Sequence, residues 1–415
     1  MIITRRLTRP AKLGAIAALL SLPLLAAASS SANASSQAVT LAQDCPPGFS
    51  LDQNNGCKLH SLYDQYNSLY NRGVGGLKTA LPARRDGFSP AQIDLGRILF
   101  FDPILSGDHT LSCASCHHPQ LGFADGLPRS QGIGGKEAQR AAPSLWNMAF
   151  LTRFFWDARA QSLEEQMQGP LYSPVEMGNN PAQLLNDLNN NAEYQRLFKQ
   201  AFPEQGDNID LDKIYLAIAA FETSLISLNS RYDRYAHGYH AALTEDEKAG
   251  LNVFRSFVAR CAECHTPPLF THQQVAVIGV AEPEGREFDR GAEAIFNNPT
   301  WLGGFKVPSL RNITKTAPYM HSGSFETLRE ATEFYTLGRG HALTEEQNKN
   351  MVLHWHIWEP KLTDAELDLL VTFMDTLTDE TFTPNIPASV PSGLAPVGQL
   401  PPALRQDITQ ALQGE

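Results

Sequence analysis

Two five-residue segments constrain this chain more than anything else in it: Cys113-Ala114-Ser115-Cys116-His117 and Cys261-Ala262-Glu263-Cys264-His265. Both read C-x-x-C-H, and together they use four of the six cysteines among 415 residues. Random placement of six cysteines and twelve histidines would give roughly 0.003 such motifs. Two thiols at this spacing can form thioether bonds to the two vinyl groups of one haem, and the adjacent histidine then reaches the iron. A zinc site would need further ligands at short spacing, and neither motif has another cysteine nearby. A thioredoxin-type redox pair would need a βαβ setting, which the sequence lacks. The pattern predicts two covalently bound c-type haems. The motifs lie 148 residues apart, too far for a small multihaem wire and right for one haem per domain. Each follows a similar segment, Gly96-Arg97-Ile98-Leu99-Phe100 or Gly250-Leu251-Asn252-Val253-Phe254, which suggests a duplicated cytochrome-like unit.

The same reasoning assigns one axial ligand per iron, His117 and His265. Two strong ligands make an electron carrier, whereas an open position makes a peroxide site. Ten other histidines, seven methionines and eleven tyrosines leave that choice open.

The length exceeds the roughly 250–300 residues of one compact domain, so two domains are expected. A net charge of −11 argues against a nucleic-acid partner, which calls for a basic face. Residues 1–34 read as a secretory signal: Arg5, Arg6, Arg9 and Lys12, then apolar Leu13 to Ala28, then the small-residue site Ala32-Asn33-Ala34. No later run is long and apolar enough to span a bilayer, so the mature chain is expected to be soluble and periplasmic. In an oxidising compartment Cys45 and Cys57, which flank a short polar loop, are expected to form a disulfide.

Helix signals recur along the chain. Ser89-Pro90 opens one, Leu211–Ile226 carries an apolar stripe, Thr244 to Glu247 opens another through Val258, and Thr363 to Glu366 opens a fourth. No run of alternating strands stands out. The expected fold is mostly α, with two cytochrome c-like haem domains packed together, at 88–235 (peroxide site) and 236–383. An irregular arm at 35–87 precedes them and a Pro-rich tail at 384–415 follows.

The chain also resembles the bacterial di-haem cytochrome c peroxidase and MauG family, over roughly Gly87 to Leu377. The likeness rests on Leu99-Phe100-Phe101-Asp102-Pro103, Ala142-Pro143-Ser144-Leu145-Trp146-Asn147, Phe155-Trp156-Asp157-Ala158-Arg159-Ala160, Glu176-Met177, Phe305-Lys306-Val307-Pro308-Ser309-Leu310-Arg311-Asn312 and Pro318-Tyr319-Met320-His321-Ser322-Gly323, besides the haem motifs. The arm's cysteine pair and the tail are similar to MbnH-type members of the MauG-like branch.

The resemblance implies a peroxide site at the His117 haem. The peroxidase branch holds a displaceable histidine in the loop that here reads Ser130-Gln131-Gly132-Ile133-Gly134-Gly135, so this haem is expected to be open or water-bound. Glu176 matches the family's distal acid, and Gln166 and Pro170 match other distal positions. Trp156 matches the tryptophan between the haems. Tyr335 stands where the peroxidase branch supplies a methionine to the second iron and the MauG-like branch a tyrosine. Thr316 and Pro318 match backbone ligands of a calcium ion, whose asparagine ligand is replaced by Ala141. The implied activity is that of a periplasmic oxidase. It would use hydrogen peroxide to form a high-valent state shared over both haems and oxidise a partner, a protein tryptophan above all. The rivals are a cytochrome c peroxidase fed by a small redox protein and a non-catalytic di-haem electron carrier. His354-Trp355-His356, His237 and His240 are expected to serve surface or packing roles rather than a metal. Trp301, Trp355 and Trp358 are candidate exits for an oxidising hole, because Val258-Ala259-Arg260 stands where the MauG-like branch has a tryptophan.

Overall fold

The helix openings follow from local chemistry. Ser89 accepts from Gln92 N, and Gln92 reaches back to Ser89 N, so a reciprocal cap starts the helix Pro90–Phe101. The same device starts Glu245–Phe254 at Thr244 and Asp364–Asp375 at Thr363. A computed structural model describes residues 39–65, 73–355 and 360–398. The predicted signal at 1–34 and the end of the tail lie outside them.

The fold is mostly α, as expected. Its strands are two antiparallel pairs, Phe49–Leu51 with Cys57–Leu59 and Val275–Val277 with Gly304–Lys306. Three residues per strand are too few for an alternating pattern to show. Two predicted helices end early. Leu211–Thr223 stops before Ile226, where Thr223 and Ser224 hydroxyls donate back to the Ala220 and Phe221 carbonyls at 3.0 and 2.7 Å. The helix from Thr244 ends at Phe254 rather than Val258.

The faint internal repeat is structural. Gly96 brings Pro90–Phe101 so close to Leu211–Thr223 that a Cβ would lie 1.8 Å from the Ala217 carbonyl and 2.9 Å from Phe221 Cβ. Gly250 does the same on Asp364–Asp375, against the Leu369 carbonyl at 2.0 Å and Phe373 Cβ at 2.8 Å. Each crossing therefore needs glycine, and each carries a cysteine motif in the segment that follows its first helix. Buried side chains gather around both. One cluster includes Leu95, Leu99, Tyr194, Leu197, Ile214 and Ile218, and another Leu251, Phe254, Phe270, Leu370, Phe373 and Leu377.

The arm is pinned rather than loose. Cys45 and Cys57 are disulfide-bonded, with Cα atoms 5.6 Å apart. Leu59 packs with Phe150, Leu228 and Leu269. The Tyr63 hydroxyl donates to Asp233, which forms a wholly buried ion pair with Arg311 at 2.6 and 2.7 Å. That pair sits beneath the second cluster, so the arm reaches the core through a charge that has to be satisfied.

Candidate active site

Cys113–Ser115 forms a single tight turn, and Cys261–Cys264 a short helix. All four cysteines are unbridged. Burial pushes the Cys116 and Cys261 thiols up to about 12, the opposite of what a metal-thiolate or redox pair arranges. Among the described residues, one group of three possible metal ligands comes together, Glu282, Asp289 and His321, and neither motif takes part in it.

Both motif histidines are set to coordinate through Nε2. His117 Nδ1 donates to the Phe123 carbonyl at 2.8 Å, and His265 Nδ1 faces the Phe270 and Pro308 carbonyls at 3.1 Å each. With the proton on Nδ1, the lone pair lies on Nε2. Burial lowers both, His265 to about 4, so they are neutral in neutral solution. Around the first motif, Ser112 Oγ, His118 Nδ1, Asp125 Oδ2, Trp146 Nε1 and Glu222 Oε2 are buried without a protein partner. Buried polar atoms normally find partners, so this orphan set fits a site completed by a polar cofactor and its waters.

Glu176 lies near the Cys116 thiol and helps to raise it, after burial and Asp125. The loop without histidine packs directly on this residue. Ile133 N donates to the Glu176 carbonyl at 2.8 Å, and a Cβ on Gly132 would come within 2.6 Å of Glu176 Cα. Pro170, inside the helix Leu163–Tyr172, takes a hydrogen bond from Met177 N at 3.0 Å and so ties that helix to Glu176. Gln166 sits one turn before Pro170, half-buried, and no hydrogen bond joins it to Glu176.

The second motif opens into a cavity lined by Cys261, Cys264, His265, Trp156, Lys306 and Tyr335 among others. Half-buried Tyr335 has its phenol close to both cysteines, and loss of water there raises it well above its usual range. Lys306 lines the same cavity, half-buried, and loss of water around its amine brings it down to about 8. The sequence reading gave it no role, although a lysine amid Phe305, Val307 and Pro308 was a usable signal.

Trp156 connects the two halves. Its Nε1 donates to the Ala141 carbonyl at 2.9 Å, and its own carbonyl accepts from Lys306 N at 2.6 Å. Its ring lies 6.4 Å from that of His321. Beside it, Arg140 bridges Asp157 (2.6 Å) and Asp289 (2.6 and 2.9 Å), while Arg129 and His321 hold Glu282 at 3.2 and 2.7 Å. Sequence reasoning missed this network, because its Arg140–Asp289 and Arg129–Glu282 pairs join residues 149 and 153 positions apart.

These residues do not fit the calcium ion that the resemblance implies. Thr316 and Pro318 line the cavity, yet Ala141 offers no side-chain oxygen and its carbonyl is taken by Trp156. Calcium wants six to eight oxygens, and the carboxylates clustered here are held by arginine and histidine.

The remaining predicted residues are spread over packed positions, the surface and the cavity rim. His237 packs edge-on to Tyr63, with ring centroids 4.4 Å apart, and His240 packs against Tyr235. Trp301 packs against Phe296. His354 lines the second cavity, and Trp355, at 66% exposure, lies beneath Arg260 at 5.2 Å. His356 and Trp358 lie outside the described residues.

Comparison with known proteins agrees with this geometry. The family "Di-haem cytochrome c peroxidase" matches residues 90–241. The chain is 33% identical over 321 residues to cytochrome c551 peroxidase of Pseudomonas aeruginosa, covering 76% of this chain and 91% of that one. The chain belongs to the di-haem cytochrome c peroxidase family. It is also 34% identical to the methylamine utilization protein MauG of Methylorubrum extorquens, over 70% of this chain and 79% of that one. A crystal structure of a MauG-like protein associated with microbial copper homeostasis superposes with a TM-score of 0.65 at 33% identity, covering 73% of this chain and 94% of that one. As a member of the di-haem peroxidase family the chain is a haem oxidoreductase acting with peroxide, and membership implies two c-type haems. No helix among the described residues is long and apolar enough to cross a membrane.

Proposed function

We propose that this di-haem enzyme is exported to the periplasm and works as a MauG-like oxidase. It would use hydrogen peroxide at the His117 centre and withdraw electrons from a protein partner, with a tryptophan as the oxidised group. Bound haem supplies an iron that activates peroxide and can hold oxidising equivalents. The chain's own residues do the rest. The Glu176 carboxylate takes a proton from the incoming oxygen and returns it to the departing one. Gln166 orients the small ligand from the neighbouring helix turn. The Phe123 carbonyl keeps the His117 proton on Nδ1 and the lone pair on Nε2. Trp156 relays electrons between the halves, its indole held still by the Ala141 carbonyl. Tyr335 would hold the second iron through its phenol oxygen, a ligand that favours the ferric state over the ferrous. For each peroxide the partner loses two electrons and two protons, and two waters form.

The observation that carries this reading is the Tyr335 phenol in the His265 cavity, where the peroxidase branch has a methionine. The likeness to a MauG and to a MauG-like structure supports it, while the likeness to a cytochrome c551 peroxidase favours the rival. The test adds peroxide to the fully ferric protein without prior reduction. A long-lived spectrum holding two oxidising equivalents, with weak turnover of a reduced cytochrome, is expected. Rapid cytochrome oxidation only after half-reduction would establish the peroxidase reading instead. A resting protein in which both irons are low-spin with two strong ligands would leave only the electron carrier.

A further inference from the structure

The Pro-rich tail is bound to the first haem motif. Arg97 Nη1 donates to the Asn385 carbonyl and Asn191 Nδ2 to the Pro391 carbonyl, each at 2.9 Å. Val390 is buried in the same cluster as Leu95 and Leu99. Ser392 then caps a buried charge, its Oγ donating to Asp102 Oδ1 at 2.6 Å and its N to Oδ2 at 3.3 Å. Asp102 also holds the Tyr194 hydroxyl at 2.5 Å and Ile104 N at 3.0 Å, so the tail completes a polar centre that the core cannot leave open. Val397 N donates to the Phe101 carbonyl at 3.0 Å.

The tail then reaches the motif itself. At Gly398, with φ +119°, a Cβ would lie 2.8 Å from the Phe101 ring and 3.3 Å from Ala114 Cβ. Ala114 is fully buried between the two cysteines. His118, the residue after the proximal histidine, is buried and lies close to the Gly398 backbone. At Cys261–His265 the approach is more open: Phe257, four residues before the helix begins, is 86% exposed.

We propose that residues 390–398 are a wall of the first haem site. The tail holds the attachment loop through Ala114 and His118 and keeps water from it. It thereby sets the reduction potential and the ligand access of the His117 centre and leaves the second centre alone. The physical cause is dielectric: a haem exposed to water is held in its more charged ferric state, so opening the wall lowers the potential. The inference uses the haem at Cys113 and Cys116, which family membership implies, and is independent of the role proposed for Tyr335.

The test uses the full-length holoprotein with two haems. Val390→Asp puts a charge into the core and expels the tail, and Gly398→Leu forces it off Phe101 and Ala114. A spectroelectrochemical titration then reads each haem separately. The expected result is a tenfold fall in the ferrous-to-ferric ratio of the first haem at fixed potential, equivalent to 59 mV for one electron, with the second haem unmoved. Cyanide should also bind the first ferric haem faster, and Ser392→Ala should shift it the same way by less. Equal shifts in both haems, or a lower unfolding midpoint with neither potential changed, would make the tail a structural prop and overturn the proposal. If Val390→Asp does not fold, Gly398→Leu decides, because the nearest atoms its Cβ meets are those of Phe101 and Ala114.

Discussion

Around Cys261 and Cys264 the chain closes on its own site: a phenol, a lysine and Trp156 share one cavity with His265. Around Cys113 and Cys116 it brings a carboxylate and a loop of glycines, and no second nitrogen or sulfur donor comes from that loop. The attachment chemistry is the same in both, and so is the glycine-mediated helix crossing behind it. What differs is the face opposite the histidine, and the proposed division of labour, peroxide at the first site and charge storage at the second, rests on that difference.

The largest effect expected from breaking this asymmetry is kinetic. Glu176→Gln removes the proton carrier at the first site and should slow the peroxide reaction about 10²- to 10⁴-fold in stopped-flow, with the second haem's resting spectrum unchanged. A loss below about tenfold would mean that the first pocket does not use this carboxylate. Tyr335→Phe is the mirror experiment. It should alter the second haem's resting spectrum and leave the first as it was, and Tyr335→Met should raise the second potential. An unchanged spectrum would remove tyrosine from the coordination sphere.

Smaller effects test the shared framework. Cys45→Ser with Cys57→Ser opens a loop whose ends are 12 residues apart and should cost about 3 kcal/mol in denaturant unfolding, with both haem spectra intact. Glu222, buried beside the first motif, separates the halves by pH. Burial, with Glu164 adding and Arg85 opposing, carries its carboxyl from 4.5 to about 8. A raised carboxyl favours the folded state most below its unfolded value, and that contribution is lost as pH climbs through about 8. Stability should therefore decline over this range, and Glu222→Gln should flatten the decline. The smallest effect is a null one: chelation with EGTA should leave the unfolding midpoint within about 1 °C, since Ala141 and the paired carboxylates do not make a calcium site.

Much of this was legible in the linear order. The C-x-x-C-H motifs, the reciprocal caps at Ser89, Thr244 and Thr363, and the faint Gly96 and Gly250 repeat are local patterns, and local patterns survive in a string. Glu176, Trp156 and Tyr335 were legible only through the family likeness, since a carboxylate, an indole and a phenol have many ordinary uses. The Arg140 and Arg129 bridges, the Tyr63–Asp233–Arg311 centre and the tail's grip on Ala114 had no local sign at all.

By itself the sequence determined the covalent chemistry: thiol spacing and an adjacent imidazole dictate how a haem is attached, whatever the surroundings. Only the tertiary structure decided what faces each histidine and what shields it. Those neighbours come from segments far apart in the chain, and burial, charge and contact depend on distances in space that spacing along a chain does not set.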